Sequence, residues 1–343
     1  MSELHTTFPV GEGLLGRVLD PEGAPQDGQG ALHDVRLTTL APLGEAATPG
    51  PVWETGIKVI DFFAPLPRGG TVALLASPGT GLIVAITELT QRLATQRGGC
   101  AVIADLDDEA YTVAETVSTL REGGVERQTI VITAPSEASP EQHERLVSAA
   151  LTVAEDLFAR GRDLLLVLDD GLVTERTAPL LRGRGRTSGQ GSLTLLLCFW
   201  RHTTPEPVLG PEASALLEAA HTRLVFSREL AHQGIWPAID PLASRSQLLE
   251  RGALSEEHRH HAQAALALLS QLQLPEDVSD PASLARARRL RQFGNQPFFV
   301  AEPYTAKPGA HVAYADTLRA YAGLSVGAYD HLDEAALHFT GAL

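Results

Sequence analysis

The stretch TVALLASPGTGLIVAITELTQRLATQRGGCAVIADLD, residues 71–107, decides the fold. It opens with an apolar run at 72–76, turns through two glycines, and then shows helical periodicity over 82–96. A second apolar run follows at 100–104. Strands joined by crossover helices form parallel sheets, so this stretch predicts one unit of a mainly parallel α/β sheet.

The same alternation continues along the chain. Further strand-like runs are found at 129–133, 164–168, 193–199 and 223–226, and helical patterns at 109–122 and 141–160. Beyond about Arg251 only helical segments follow, at 256–274, 282–292, 312–322 and 333–339. Residues 1–50 are rich in Gly, Pro and Asp and predict turns and extended chain. The order predicts an α/β core followed by a helical part.

Composition excludes several function classes. The 343 residues carry 27 Lys+Arg against 42 Asp+Glu, a net charge of −15, which disfavours broad binding to nucleic acid or anionic lipid. Two cysteines exclude a disulfide scaffold and indicate a reducing compartment. The apolar runs have strand length, and no signal peptide precedes them. We therefore expect a cytoplasmic protein without direct membrane insertion and without nucleic-acid partners.

The turn ASPGTGLI, residues 76–83, has the frame of a phosphate-binding loop, GxxxxGK[ST]. Two glycines of the cradle are present, but Ala76 replaces the first glycine, Leu82 the lysine and Ile83 the hydroxyl residue. Two interpretations stay open: a phosphate site that has lost its cation, or a tight strand-to-helix turn whose Leu82 and Ile83 pack into the core.

The run LLLVLDD ends in Asp169 and Asp170. A carboxylate at the carboxyl end of a parallel strand is what a magnesium-bound nucleotide requires. The alternative is a polar residue that merely ends a buried strand.

Several stretches resemble the β subunit of the F-type ATP synthase, in that family's order. They are ETGIKVIDFFAP (54–65), the 76–83 turn, LTVAEDLFARGRDLLLVLDD (151–170), GSLT (191–194), SRELAHQGIWPAIDPLASRS (227–246), ARARRLRQFGNQPFFVAEPYT (286–305) and AYDHLDEAALHFTG (328–341). GIWPAIDPL and QPFFVAE are the most specific of them. The resemblance runs from about Gly11 to the end of the chain.

The resemblance implies a RecA-like P-loop NTPase-type domain at 51–250 and a C-terminal helical domain at 251–343. A turn-rich segment at 1–50 comes before them, without a counterpart of the family's N-terminal β-barrel. It also implies ATP or ADP as ligand, and α-like or β-like subunits as partners in a ring or partial ring.

Compared residue by residue, the resemblance predicts that side chains needed for phosphoryl transfer have been replaced. The family's phosphate-loop lysine falls on Leu82 and its magnesium-binding threonine on Ile83. Its GER motif falls on DDE, so that Asp108 takes the position of the Glu and Glu109 that of the Arg. Loss of single such elements costs orders of magnitude in rate, so we expect no catalysis and weak nucleotide binding. Asp169 matches the magnesium-organising Asp, but the missing hydroxyl argues against Mg²⁺ there.

The family holds adenine between aromatic rings, and these positions remain aromatic. The resemblance assigns nucleotide contacts to Gly79, Thr80, Gly81, Trp236, Phe298 and Tyr304. A stacking pocket beside a weak nest of N–H groups is one interpretation, and core packing of the aromatic rings is the other.

We therefore expect a noncatalytic β-like subunit that serves as a structural or assembly component of a ring, peripheral to a membrane through a larger complex. One alternative is a genuine β-type subunit in proton-driven ATP synthesis, with residues supplied by a neighbour. The other is a free-standing nucleotide sensor.

Three smaller features receive plain structural interpretations. HRHH (258–261) predicts a solvated helix, and RGRGR (182–186) a mobile surface loop. The acidic run DLDDE (105–109) predicts a solvated surface rather than a cation site.

Overall fold

A computed structural model describes residues 7–40, 49–107, 112–200, 209–274 and 280–343. The chain divides into two units, each treated by itself. The sheet unit takes the described parts of Met1–Pro51, Pro67–Leu74 and Ile86–Ala220. The helical unit takes Val52–Leu66, Leu75–Ala85 and the described parts of His221–Leu343. The domain boundaries at residues 50 and 250 stay a prediction.

The described strands are, in chain order, β1 (Thr7–Val10), β2 (Val18–Leu19), β3 (Arg36–Thr39), β4 (Val52–Trp53), β5 (Leu66–Pro67), β6 (Thr71–Ala76), β7 (Cys100–Asp107), β8 (Thr129–Pro135), β9 (Asp163–Asp169), β10 (Arg186–Thr187), β11 (Ser192–Trp200), β12 (Thr222–Val225) and β13 (Arg245–Ser246). The described α-helices are α1 (Lys58–Phe63), α2 (Leu82–Arg97), α3 (Val113–Glu122), α4 (Pro140–Ala159), α5 (Ala178–Leu181), α6 (Pro211–Ala219), α7 (Arg228–His232), α8 (Gln247–Glu250), α9 (Glu256–Ser270), α10 (Pro281–Phe293), α11 (Glu302–Thr305) and α12 (Tyr314–Val326).

The sheet unit is built on a mostly parallel sheet. Its hydrogen-bonded neighbours run in the order β6–β11–β9–β7–β8–β2. β11 with β9, β9 with β7, β7 with β8 and β8 with β2 are parallel pairs, and β10 joins β11 antiparallel. The aliphatic residues of β9 and β11 are buried throughout, as expected of parallel strands covered on both faces. The predicted α/β class is confirmed.

Strand register brings two carboxylates to one edge of this sheet. Ala104 of β7 pairs with Leu168 of β9. Because the two strands are parallel, the next residues in each, Asp105 and Asp169, lie side by side at the carboxyl edge.

Capping residues set where the crossover helices begin. Thr112 and Glu115 form a reciprocal capping box at the start of α3, and Ser139 and Gln142 form another at the start of α4. These boxes satisfy N–H groups that a helix leaves unpaired in its first turn. The predicted helix at 109–122 therefore begins at Val113 in the described chain.

The helical unit encloses a cluster of stacked rings. Tyr321 of α12 stacks on Phe62 of α1 with centroids 4.3 Å apart, and Phe62 stacks on His258 of α9 at 5.2 Å. The helices predicted near 256–274, 282–292 and 312–322 are present as α9, α10 and α12. The fourth, predicted at 333–339, is only a 3₁₀ turn at Glu334–Leu337. It cannot continue as an α-helix through Phe339, whose φ is +54°.

The prediction of a solvated histidine helix is wrong for His258. Its side chain is buried, its Nε2 lies 2.7 Å from the Phe62 carbonyl oxygen, and its Nδ1 lies 2.5 Å from the Tyr314 hydroxyl. Burial lowers the pKa of His258, so the ring is neutral at neutral pH.

The prediction of a mobile surface loop at RGRGR is also wrong for Arg184 and Arg186, whereas Arg182 is exposed. Arg184 is buried and donates to the Leu180 carbonyl at 2.7 Å and to Glu155 at 3.2 Å. Arg186 pairs with the same carboxylate and stacks on the Phe158 ring at 4.6 Å. The two arginines anchor this segment to α4.

Cys100 and Cys198 are buried, and neither forms a disulfide. None of the helices in the described ranges combines the length and apolarity that a bilayer span requires.

Lys58 is the least expected buried residue of the helical unit. It begins α1, and its side chain is 0 % exposed. Nζ donates to the carbonyl oxygens of Thr340 at 2.6 Å and Asn295 at 3.1 Å, and lies 3.9 Å from the ring centroid of Phe293. These contacting groups carry no net charge, and burial lowers the pKa of the Lys58 amine to about 7.

We expect this amine to make the free energy of unfolding rise with pH above neutrality. The unfolded chain holds the lysine proton up to the ordinary pKa of 10.5, whereas the folded chain releases it near 7. Unfolding therefore takes up a proton in this window, which makes the folded state more stable as pH rises, by about 2 kcal/mol between pH 7 and 9.

Urea denaturation of the wild type and of Lys58→Met at several pH values measures this slope. The control is Lys307→Met, which removes the only other lysine of the chain. With two lysines, ¹³C-lysine labelling gives two NMR signals whose titrations can be followed directly. A Lys58 signal that titrates near 10.5 contradicts the prediction.

Candidate functional site

The turn between β6 and α2, residues 77–81 and here called the glycine turn, belongs to the helical unit. Gly79 and Gly81 have φ values of +80° and +82°, a region that side chains with a Cβ enter only at a cost. Thr80 between them is buried, and its hydroxyl donates to the Ser77 carbonyl at 2.7 Å. The turn aims the chain directly into α2, whose first-turn N–H groups favour anions.

The two positions after the glycine turn carry no polar chemistry. Leu82, the first residue of α2, is 2 % exposed, and Ile83 is half-buried. Leu82, to which the resemblance assigns the position of a lysine, therefore lies in the apolar core.

Trp236 lies against the glycine turn. A Cβ placed on Gly81 would meet Trp236 Cζ3 at 3.1 Å and Cε3 at 3.6 Å. The Trp236 backbone is held on both sides, because its N–H donates to Asn295 Oδ1 at 2.7 Å and its carbonyl accepts the Gln296 N–H at 2.8 Å. The indole ring therefore has a fixed place beside a glycine that has no side chain to obstruct it.

The other two aromatic residues of the expected pocket differ in burial. Phe298 is buried, whereas Tyr304 of α11 is 67 % exposed. The structure thus brings Trp236 to the glycine turn, packs Phe298 in the core and leaves the Tyr304 ring at the surface.

Asp169, the expected metal position, lies in the sheet unit at the end of β9. Its Oδ1 accepts the Gly171 N–H at 2.8 Å, and its Oδ2 accepts Trp200 Nε1 at 3.0 Å. Asp108 and Glu109 lie outside the described residues. Within the described ranges, no group of three or more His, Cys, Asp or Glu side chains is placed to hold a metal ion.

Sequence reasoning missed Asp105 as a site residue. Burial, and secondarily the charge of Asp169, raises the pKa of Asp105 to about 7. Its carboxylate accepts a hydrogen bond from Thr116 Oγ1 at 3.2 Å. The available signal was that DLDDE directly follows a predicted strand, so that its first residue had to lie at the carboxyl edge of the sheet.

The mostly parallel sheet with its crossover helices, together with a glycine turn that opens a helix after a strand, defines the class of the α/β nucleotide-binding domains. Residues 56–174 match the family model described as ATP synthase alpha/beta family, nucleotide-binding domain. The matched stretch contains the glycine turn, β7 to β9 and Asp169. This part of the chain is therefore similar to the nucleotide-binding domain of that family, and its fold is consistent with a RecA-like domain.

The contact between Trp236 and Gly81 predicts that Gly81→Ala lowers the free energy of unfolding more than Gly79→Ala does. Gly79→Ala introduces a Cβ with nothing within 4 Å, so it costs only the backbone strain of a left-handed residue, about 1 kcal/mol. Gly81→Ala adds the close approach to the indole ring and costs about 1 kcal/mol more.

Chemical denaturation measures both substitutions. In a Trp236→Ala background we expect the penalty of Gly81→Ala to fall to that of Gly79→Ala, because the obstructing ring is gone. An unchanged difference in that background would show that Trp236 is not what crowds this position.

The raised pKa of Asp105 predicts a second pH dependence. The folded chain keeps this proton up to about pH 7 and the unfolded chain only to about 3.8, so the stability falls as pH rises between these values. Asp105→Asn removes this loss. We expect the variant to exceed the wild type by about 1–3 kcal/mol at pH 8 and to match it near pH 4.

Denaturation curves at the two pH values test this, with Asp107→Asn as the matched control on the same strand. Asp107 is exposed, and its carboxylate accepts the Val113 N–H at 3.0 Å. Its replacement should keep most of the pH slope. Equal slopes for Asp105→Asn and the wild type contradict the prediction.

Proposed function

We propose that the chain is a noncatalytic subunit of an ATP synthase-like ring, similar to the β subunit, which serves assembly and binds nucleotide weakly. The observation that carries the proposal is the burial of Leu82 at the start of α2. The family has a cationic side chain at this position. Leu82 is apolar and lies in the core, so no change of its rotamer could supply the positive charge.

The chemistry of the glycine turn supports the same conclusion. Phosphoryl transfer is accelerated mainly by positioning and by neutralising charge on the phosphates. Residues 77–83, SPGTGLI, contain no basic side chain. The hydroxyl of Thr80 donates to Ser77, and Ile83 offers none. These residues do not fit a magnesium-bound triphosphate, and no catalytic step on one follows from them.

The glycine turn and Trp236 could still bind a nucleotide weakly. The first-turn N–H groups of α2 still attract an anion, and the Trp236 ring still offers a face or edge to a base. Neither replaces the point charge of a lysine, so we expect affinity in the millimolar range rather than the micromolar.

The ring follows from the family rather than from this chain alone. The ATP synthase α/β family forms hetero-oligomeric rings, and residues 56–174 match its nucleotide-binding domain. We therefore propose α-like or β-like subunits as partners. In this proposal the chain reaches a membrane only through other subunits of the complex.

Co-expression with the α-like and β-like proteins of its own genome tests assembly. We expect a hetero-oligomer by light scattering, and Mg-ATP turnover no higher than that of the partners alone. A chain that stays monomeric with every such partner contradicts the assembly role. Steady turnover that disappears in Asp108→Asn contradicts the noncatalytic role and favours a genuine β-type subunit.

A titration with Mg-ATP and Mg-ADP tests the binding part, with tryptophan fluorescence as the readout. We expect no saturation below millimolar nucleotide. Quenching that saturates at micromolar nucleotide in the wild type, and is lost in Trp236→Phe, would instead identify a nucleotide-responsive subunit. The remaining residues Trp53 and Trp200 make the variant its own internal control.

A further inference from the structure

Two consecutive amide residues that hold Trp236 also hold Lys58. Gln296 Oε1 accepts the backbone N–H of Lys58 at 2.8 Å, while the Asn295 carbonyl accepts Lys58 Nζ at 3.1 Å. Asn295 and Gln296 are buried, and Gln296 Nε2 donates to the Gly56 carbonyl at 2.7 Å. The start of α1 and the backbone of Trp236 are therefore fixed to the same two residues.

The other acceptors of the Lys58 amine come from the end of the chain. We call residues 337–341 the C-terminal strap. Thr340 and Gly341 offer their carbonyl oxygens to Nζ at 2.6 Å and 3.5 Å. An ammonium has three N–H donors, and the strap supplies two of the three carbonyl oxygens that receive them.

The strap is held in a conformation that would not persist by itself. Phe339 is a bulky residue at a φ of +54°, a backbone region that is unfavourable for it. The buried side chain of Leu337, the bond of 2.7 Å between Gln292 and His338, and Lys307 lying 4.3 Å from the Phe339 ring hold it there. Strained residues stay in place only when surrounding contacts over-determine them.

We propose that the C-terminal strap positions Trp236 against the glycine turn, acting through Lys58 and Asn295. The path is continuous in the helical unit: strap carbonyls, the Lys58 amine, the Asn295 carbonyl, the Asn295 side chain, the Trp236 N–H and the indole ring beside Gly81. It does not depend on whether the turn binds nucleotide.

The physical reason is the cost of a buried amine without acceptors. When the strap leaves, Lys58 Nζ keeps one carbonyl of three and is opened to water, toward which it moves. The Asn295 carbonyl then loses its donor, and the side chain of the same residue is no longer fixed for the Trp236 N–H. Lys58 and Asn295 are thus positioning residues for Trp236.

The experiment uses the full chain with Trp53→Phe and Trp200→Phe, so that Trp236 is the only tryptophan whose emission is followed. Lys58→Met keeps the apolar stem beside Phe293 and removes the N–H donors. A chain that ends at His338 removes both strap carbonyls. In each variant we expect at least a twofold rise in the acrylamide quenching constant of Trp236, and no further rise when the two changes are combined.

Asn295→Ala serves as the positive control, because it removes the acceptor of the Trp236 N–H directly. Arg319→Met is the negative control, since this exposed side chain of the helical unit pairs with Asp316 and takes no part in the path or in holding the strap. Circular dichroism and the denaturation midpoint confirm that each variant is folded. Unchanged quenching in folded Lys58→Met and in the shortened chain, with a response in Asn295→Ala, overturns the proposal. An equal response in Arg319→Met overturns it too.

Discussion

The left-handed backbone at Gly79 and Gly81 is the constraint on which the candidate site depends, because only these two residues let the chain reverse between β6 and α2 in so few steps. The missing side chain at Gly81 has a second consequence. In phosphate-binding proteins a glycine here lets the backbone approach a ligand; in this chain the Trp236 ring lies at that place. One residue type thus serves both the turn and the close packing of an aromatic ring.

The buried Lys58 and the half-buried Asp105, one in each unit, are both disfavoured in their charged forms, with opposite effects on the pH dependence of stability. Lys58 is surrounded by carbonyl oxygens and a ring face, and Asp105 lies beside another carboxylate. Burial disfavours the charged form of both and moves the pKa of each to about 7. Below neutrality Asp105 makes the stability fall as pH rises, and above neutrality Lys58 makes it rise. The combined contribution of these two groups to the free energy of unfolding is therefore smallest near pH 7.

The sequence was sufficient for features that are local in the chain. Apolar runs of strand length predicted β7, β8 and β9, and the helical pattern at 82–96 predicted α2, because one stretch of chain contains the whole signal. Burial of polar side chains was not predictable in this way. His258 forms a hydrogen bond with the backbone carbonyl of Phe62, 196 positions away, whereas its neighbours in sequence indicate only a polar helix. Asp105 required the register between β7 and β9, which periodicity does not contain. The expected roles of Asp108 and Glu109 stay predictions.

Three of the segments that resemble the ATP synthase family are joined to one another by hydrogen bonds. Trp236 belongs to GIWPAIDPL, Gln296 to QPFFVAE and Lys58 to ETGIKVIDFFAP. Hydrogen bonds at 2.8 Å join the backbone of Gln296 to Trp236 and its side chain to Lys58. Each of these groups is buried or half-buried, so replacing one leaves its partner unsatisfied at a cost of about 1–3 kcal/mol. Leu82 and Ile83 carry aliphatic side chains, so a replacement that packs equally well costs the fold little. Internal hydrogen bonds of this kind can therefore preserve the resemblance to the ATP synthase family even where the residues of the glycine turn differ.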